Sequence, residues 1–450
     1  MKKKKRGFTL VELLAVILVI AVPRIMSVIK DAKLGSIEST AKIIASTAES
    51  RYESKKALGL EVGTLKCTDV ASLSNDYGKC KITFDDNGVA TVVINGKKGG
   101  KFDNLACQGT KDNMTCAEGE ISTSRKCTTT DTLTNGLKFV DGQYTYTYNG
   151  STGWSVVLTD KTSTDPVTTE LCGTINDKPI VNMEVMFSSS NATSIDLSSF
   201  DTSSVADMSN MFSRCKTASL DLSSFDTSKV TDMQYMFLYS AATEIKGLEN
   251  FDTSNVTGMY GMFESSAATS LDLSNFNTSN VTGMTDMFFG SAATEIKGLE
   301  NFNTSKVTSM ANMFSSSKAT SLDLSNFNTS KVTSMYGMFR NSAVTEIKGL
   351  EKFNTSNVTN MSGMFYNCKV ANLELSNFDT SKVTDMSCMF YQSVATSLDL
   401  SSFDTTNVTD MSKMFYNSKA TTGYARLQED ADRFNASSNK PSTLTFVVKS

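Results

Sequence analysis

The first periodic feature of the chain is a long apolar run that continues into a helical stripe. Residues Phe8 to Val22 are almost entirely apolar, which is typical of an export signal or a membrane anchor. Beyond this run, small and apolar side chains recur at i+3 and i+4 spacing, namely Leu34, Ile37, Ala41, Ile44 and Ala48. The pattern predicts one helix of roughly 45 residues from Thr9 to about Ser54.

From about residue 61 the pattern changes to the alternation that is typical of β-strands. Lys81–Phe84 and Val89–Ile94 flank Asp85-Asp86-Asn87-Gly88 and predict a hairpin. Lys138–Val140, Gln143–Tyr148 and Trp154–Leu158 predict a three-stranded meander. Tyr144, Tyr146 and Tyr148 share one side of the middle strand, either as an exposed aromatic face or, as we prefer, as a cross-strand ladder.

The second half of the chain is a repeat array. The phrase Phe-Asp/Asn-Thr-Ser-x-Val-Thr-x-Met-x-x-Met-Phe recurs every 25 or 26 residues, and its nine copies start at Phe200, Phe225, Phe251, Phe276, Phe302, Phe327, Phe353, Phe378 and Phe403. A partial copy precedes them at residues 180–187. The paired methionines of these ten copies account for 20 of the 23 Met. Units this short must stack on their neighbours to bury a core, so the array predicts a solenoid.

Spacing within each unit assigns its elements. Val205, Met208, Met211 and Phe212 share one face of a short helix, and Leu220 and Leu222 alternate as in a strand. We therefore expect an α/β, leucine-rich-repeat-like solenoid with its Met, Leu and Phe side chains in the core rather than in an exposed binding strip. A small residue three positions after each Met-Phe pair is expected to pack inside.

Two features of the repeat leave alternatives open. The Asp or Asn after each phrase-opening Phe is interpreted as a ladder of cap or turn residues in preference to a calcium site, because Asn occupies the central four coils. Three of the units carry one extra residue beside a glycine, such as Gly247, which predicts a β-bulge.

Composition narrows the chemistry. The chain has no His, which removes Ser-His-Asp and Cys-His catalysis and His-ligated zinc. Its formal charge is −4, and residues 180–420 contain 15 Lys and Arg against 24 Asp and Glu, so the array carries −9. This charge disfavours nucleic acid as a partner. We expect no enzymatic activity, cofactor or metal.

The N-terminal residues resemble a known export signal. Five basic residues precede Gly7, and the sequence Gly7-Phe8-Thr9-Leu10-Val11-Glu12 resembles the start of type IV prepilins. The resemblance implies that a prepilin peptidase cuts after Gly7 and methylates Phe8, and that Glu12 pairs with the terminal amine of a neighbouring pilin subunit. A carboxylate inside an apolar helix costs roughly 2.5–3.5 kcal/mol at the bilayer centre, so Glu12 needs such a partner. The resemblance therefore implies that the exported chain is first anchored in the cytoplasmic membrane by its N-terminal helix and is then displayed on the cell surface or in an extracellular filament.

One departure from the prepilin pattern concerns membrane retention. Pro23 and Arg24 interrupt the apolar run early. Phe8 to Val22 then spans about 22 Å of helix, which is shorter than a hydrocarbon core of roughly 30 Å. Spanning would recruit the apolar residues that follow Arg24.

Six of the nine cysteines lie between residues 67 and 172, without zinc-type spacing. Export, which the prepilin resemblance implies, favours disulfides in this region. The close pairs Cys67 with Cys80 and Cys107 with Cys116 are our first choice among the many pairings, and type IV pilins often have a disulfide in this domain.

The repeat phrase resembles the 25-residue repeats of BspA-like leucine-rich surface proteins, a family associated with adhesion. The domain prediction is a leader at 1–7, an assembly helix at 8–54, a pilin-like α+β domain with a small antiparallel sheet at 55–159, a linker at 160–179, the solenoid at 180–420 and a cap at 421–450.

The resulting function prediction is a pilin-like, minor or tip subunit that contacts host or surface proteins or glycans. The alternatives are a pseudopilin of a type II secretion or DNA-uptake machine, a tethered repeat protein that does not assemble, and an extracellular enzyme.

Overall fold

The computed structural model describes residues 22–58, 67–72, 77–85, 87–97, 100–102, 104–118 and 125–449. These residues form two compact units, Met1–Thr123 and Ser124–Ser450. The stranded region that we expected at 55–159 is thus divided between the two units. Gly7, Phe8 and Glu12 lie outside the described residues.

The first unit packs one long helix on one sheet. Helix α1 spans Val22–Ala57, and its predicted stripe faces inward, since Ile37, Ala41, Ile44 and Ala48 are fully buried. A short helix α2 (Cys67–Val70) follows. The antiparallel sheet has the order β1-β2-β3-β4, with strands at Tyr77–Phe84, Ala90–Gly96, Leu105–Gly109 and Met114–Glu118. The predicted hairpin is confirmed as β1 and β2.

None of the helices that the structure describes is both long enough and sufficiently apolar to cross a membrane.

The second unit begins with a six-stranded sheet of order β5-β9-β10-β8-β7-β6. Its strands lie at Arg125–Cys127 (β5), Lys138–Asp141 (β6), Tyr144–Tyr148 (β7), Trp154–Leu158 (β8), Cys172–Ile175 (β9) and Lys178–Asn182 (β10). The predicted meander is confirmed as β6, β7 and β8. Tyr144, Tyr146 and Tyr148 are buried and join the same core as the repeat array, so an exposed aromatic face is wrong.

The segment expected to be a linker at 160–179 is part of this unit. Val167 pairs in parallel with Ile195 of the array, and residues 172–175 and 178–182 form β9 and β10. Backbone hydrogen bonds to the first repeat make this segment the first turn of the solenoid. Without it, the backbone N–H and carbonyl groups at the edge of the first repeat would lack partners.

The array is a β-solenoid of about twelve turns, and parallel pairing runs along it from Val167 to Phe446. Its short strands lie at Ser219–Asp221 (β11), Glu244–Lys246 (β12), Ser270–Asp272 (β13), Glu295–Lys297 (β14), Ser321–Asp323 (β15), Glu346–Lys348 (β16), Ser397–Leu400 (β17), Thr422–Ala425 (β18) and Thr445–Val448 (β19). Helix α3 (Gln428–Asn435) and β19 (Thr445–Val448) follow the last coil.

The core of the solenoid consists of side-chain columns. Phe residues from successive coils stack with centroids 5.4–6.0 Å apart along the second Phe of the phrase, from Phe212 to Phe415. The paired Met side chains are fully buried, apart from the half-buried Met411. The core prediction for Met, Leu and Phe is therefore confirmed, as is the packed small residue, for example Ser240 and Cys215.

The predicted helix of each unit is wrong, and the solenoid is mostly β rather than α/β. In the coil that begins at Phe200, the N–H groups of Met208, Asn210, Phe212 and Arg214 donate to carbonyls of the next coil at 2.7–3.1 Å. The N–H groups of Met211 and Ser213 donate three residues back, as in tight turns, and the N–H of Ser209 donates to Asp207 Oδ1 at 2.9 Å. Two left-handed residues, Asn210 and Arg214, reverse the chain. Two consecutive turns therefore bring every third residue inward, which imitates the spacing of a helix face.

The extra residue of alternate coils is accommodated by a 3-10 turn and not by a β-bulge. Gly247, Gly298 and Gly349 adopt φ near +90°, and a single 3-10 turn follows each, at Leu248–Asn250, Leu299–Asn301 and Leu350–Lys352. A Cβ at Gly298 would lie 2.5 Å from the carbonyl carbon of Leu273. Only glycine fits there without strain.

Candidate contact surface

The outward residues of the Met-x-x-Met-Phe-x-x turns form one continuous edge of the solenoid. We define the Met-turn edge as the two residues between the paired Met and the two residues after the following Phe, in the ten turns from Met183 to Tyr416–Asn417. Stacking at roughly 4.8 Å per coil makes this edge about 43 Å long. Each turn contributes four positions, so that the edge has four parallel rows.

The backbone explains why these positions accept many residue types. The second residue between the Met pair and the second residue after Phe are left-handed in nearly every turn, including Tyr235, Asp286 and Asn312. Their backbone groups are satisfied by the neighbouring coils, for example Tyr235 N–H to the carbonyl of Tyr260 at 2.8 Å. Most of the side chains point away from the core, with Ser209, Ser213, Ser315 and Ser362 as buried exceptions, and the backbone bonds do not depend on them.

The edge is where the otherwise repetitive coils differ from one another. All seven tyrosines between residues 180 and 420 lie on it, whereas the Phe-Asp/Asn-Thr-Ser phrase changes little from coil to coil. Tyr, Ser, Asn and Gly fill 26 of its 40 positions. Three acidic and three basic residues make the edge neutral, on an array that carries −9. Concentration of Tyr on one surface is typical of protein contact surfaces.

Three aromatic rings stack at the C-terminal part of the edge. Tyr366 lies 4.4 Å from Tyr391, and Tyr391 lies 4.8 Å from Tyr416, as measured between ring centroids. The guanidinium of Arg340 lies over Tyr366 at 4.4 Å, and Asn367 donates to Asn341 at 3.1 Å in the adjacent row. Both ring faces of Tyr391 are covered, so this stack presents ring edges and hydroxyl groups to solvent.

An acidic group lies near the middle of the edge. Glu264 and Asp286 are half-buried, and burial raises the pKa of each carboxyl, with Asp286 adding to the effect on Glu264. Burial also raises the pKa of Tyr235, and both carboxylates contribute to that shift. In the part of the chain that the structure describes, Glu264 has no ion-pair partner within 4 Å.

The predicted cysteine pairs are disulfide-bonded in the structure. Cys67 is joined to Cys80 and Cys107 to Cys116, and a third bridge, Cys127 to Cys172, was not anticipated. Asp141 lies beside the third bridge and is paired with Arg125. Among the described residues this is the only group of potential metal ligands that come together, and its two sulfurs are already bonded to each other.

The ladder of Asp and Asn side chains is a ladder of turns. The Oδ1 atom of each accepts the N–H of the Ser or Thr two residues on, for example Asp201 with Ser203 at 3.1 Å and Asn303 with Ser305 at 3.1 Å. Because Asp and Asn make the same contact, their exchange between coils has a structural reason. The turn interpretation is confirmed.

Sequence reasoning missed the Met-turn edge. It assigned the Met phrase to a helix and evaluated only the positions that repeat. The signal that could have found it lies in the variable positions of the repeat phrase, which change between copies and contain all the tyrosines of the array.

Two family models match the chain, one at its N-terminus and one along the repeat array. A prokaryotic N-terminal methylation motif matches residues 2–22. The family described as Mycoplasma protein of unknown function, DUF285, matches at residues 162–269, 238–347 and 335–446. These matches together cover more than half of the chain, so the protein belongs to the DUF285 family. No curated protein matches the chain.

The methylation motif is the one found in prepilins, and it implies processing by a prepilin peptidase and pilin assembly in general. Gly7, Phe8 and Glu12 all lie within the matched residues. The motif also indicates export and membrane anchoring through the N-terminus. The repeat solenoid suggests contact with other proteins at the surface.

Proposed function

We propose that this protein is a non-enzymatic, pilin-like subunit of the cell surface that presents its β-solenoid as an adhesive contact surface. The combination of a prepilin methylation motif with a solenoid that concentrates its tyrosines on one edge carries the proposal. The motif supports processing at Gly7 and assembly through Phe8 and Glu12. The Met-turn edge supplies the contact surface.

The size of the repeat array favours a particular position of the subunit in a filament. An array whose Met-turn edge alone is about 43 Å long would, on every subunit, crowd a filament shaft. A minor or tip subunit accommodates it. No basic surface described above favours the DNA-uptake or secretion alternative.

The processing arm of the proposal is tested on protein recovered from surface-sheared material of the host. Intact-mass and N-terminal analysis should find a chain that starts at methylated Phe8. The variant Glu12→Gln should be processed but absent from the sheared fraction, because it cannot pair with the terminal amine. A wild-type chain that keeps residues 1–7 and stays in membranes would contradict assembly.

The contact arm is tested by changing the tyrosine stack. A variant with Tyr366→Ser, Tyr391→Ser and Tyr416→Ser should lose adhesion of displaying cells to one another or to host surfaces, measured by retention under flow. The matched control changes three exposed threonines of comparable coils, Thr333→Ser, Thr359→Ser and Thr384→Ser. Equal adhesion by both variants would refute the role of the edge.

A further inference from the structure

Two turns of the Met-turn edge carry the same phrase with opposite charges. Residues 259–264 read Met-Tyr-Gly-Met-Phe-Glu, and residues 335–340 read Met-Tyr-Gly-Met-Phe-Arg. Each phrase places a Tyr and a Gly between the Met pair and a charged residue directly after Phe. Glu264 and Arg340 therefore occupy the same row of the edge, as the fourth and seventh of its ten turns.

These two charges cannot meet within one molecule. Three coils separate them, which corresponds to about 14 Å at roughly 4.8 Å per coil. Within the residues that the structure describes, Arg340 contacts the ring of Tyr366, and neither residue forms an ion pair. The neighbouring charge that attracts Glu264 within its own chain is Arg214, which lies over the ring of Tyr239.

The symmetry of a two-fold pair brings the two charges together. A two-fold axis that crosses the middle of the edge, in the plane of contact, reverses the order of the turns and keeps each row opposite the same row. Turn four of one copy then faces turn seven of the other. Glu264 faces Arg340 twice in such a pair, and Tyr260 faces Tyr336.

The central turns match under the same operation. Turn five faces turn six, which sets the half-buried Asp286 opposite Asn312 of the second copy. Turn three faces turn eight, which sets Leu238 opposite Tyr366. The axis falls at the midpoint of the ten turns, so that the full length of both edges overlaps.

We infer that the partner of the Met-turn edge is a second copy of this chain, bound antiparallel through Glu264–Arg340 pairs around a two-fold axis between the fifth and sixth turns. This inference rests on the proposed function only in taking the edge as the contact surface. It makes the adhesion homotypic, between copies on neighbouring subunits or cells. Charge complementarity selects the second copy over a glycan, since Glu264 and Arg340 supply each other's counter-charge.

Charge reversal gives a direct test with the full-length chain in mild detergent, followed by sedimentation velocity at low salt. Glu264→Arg leaves Arg facing Arg, and Arg340→Glu leaves Glu facing Glu. Each variant alone should raise the Kd for self-association at least about tenfold. A 1:1 mixture of the two variants should regain association, because Arg of one then faces Glu of the other at both positions.

Recovery in the mixture also shows that both variants are folded. Glu351→Arg, an exposed acidic residue on the 3-10 turn, is the matched control and should leave the Kd unchanged. A monomeric wild type, association that persists equally in both single variants, or a mixture that stays dissociated would each overturn the inference. None of these results would affect the N-terminal processing or adhesion to a different molecule, which test the proposed function.

Discussion

Each coil has two turns, the Asx-Thr-Ser turn and the Met turn, and the two are hydrogen-bonded to neighbouring coils in different ways. At the Asx-Thr-Ser turn, side chains hold neighbouring coils together: Thr304 is fully buried, donates to the carbonyl of Asn328 at 3.0 Å and accepts its N–H at 2.8 Å. At the Met turn, backbone groups form the regular hydrogen bonds between coils, and side chains add only local contacts, such as that of Ser362 with Ser387 at 2.8 Å. The first turn repeats almost unchanged, and the second changes from coil to coil.

This difference separates structural from functional positions within a single repeat. Where a side chain satisfies a buried backbone group, substitution leaves that group unpaired and is costly. Where the backbone satisfies itself, the side chain is free to serve a partner. The following predictions order substitutions by how strongly each position contributes to the stability of the coil.

The largest effect is expected from the Phe column. Phe314 is fully buried, with ring centroids 5.4 Å from Phe288 and 6.0 Å from Phe339. Phe314→Ala should reduce the free energy of unfolding by about 3–5 kcal/mol, because it opens a cavity in a continuous core. Denaturant unfolding measures this. Tyr366→Ser on the Met-turn edge is the comparison, and an equal loss there would abolish the distinction between core and edge.

The buried threonine ladder should follow. Thr304→Val keeps the shape of the side chain but leaves the N–H and carbonyl of Asn328 without their partner, which should cost about 1–3 kcal/mol. The control is Thr308→Val in the same coil, an exposed residue whose hydroxyl contacts a carbonyl at 3.5 Å. Thermal unfolding should place this control within about 0.5 kcal/mol of wild type.

Residues with left-handed backbone conformation provide a further comparison between the 3-10 turn and the Met turn. Gly298→Ala should cost about 1–2 kcal/mol, since its φ is +90° and the new Cβ would meet the backbone of Leu273. Gly363→Asn on the Met-turn edge should stay within about 0.5 kcal/mol of wild type, because its nearest neighbour lies 3.8 Å away and Asn occupies the equivalent position at Asn312. Comparable losses at both positions would show that the Met turn is as constrained as the 3-10 turn.

The smallest expected effect is on the stability of the protein at acidic pH. The hydroxyl and N–H of Ser381 hold the pKa of Asp379 below its usual value, and Thr406 does the same for Asp404. A depressed pKa in the folded state gives stability that is present above the usual carboxyl pKa, near 4, and is lost as pH falls through the folded value. Asp379→Asn should therefore lower the dependence of Tm on pH below about 4. Unchanged pH dependence would mean that this turn contributes nothing electrostatic.

Much of the molecule could be predicted from the sequence, for physical reasons. The stripe of α1, the two hairpin regions, the buried Met and Phe residues and the close cysteine pairs depend on periodicity and short separation. The helix assignment failed because two left-handed turns reproduce an i, i+3, i+6 pattern, and backbone φ values are not encoded in hydrophobic spacing. The membership of β5–β8 in the solenoid unit depends on long-range packing that local patterns do not contain.

The three 3-10 glycines recur at 247, 298 and 349, which is every 51 residues. Between residues 200 and 377, coils with and without this turn alternate, so the unit that repeats there with an unchanged backbone is a pair of coils. Loss or duplication of 51 residues rejoins the chain in the same conformation and changes the solenoid by about 10 Å. Loss of a single coil brings two like coils together. Recombination between these near-identical segments therefore changes the reach of the protein in steps of two coils.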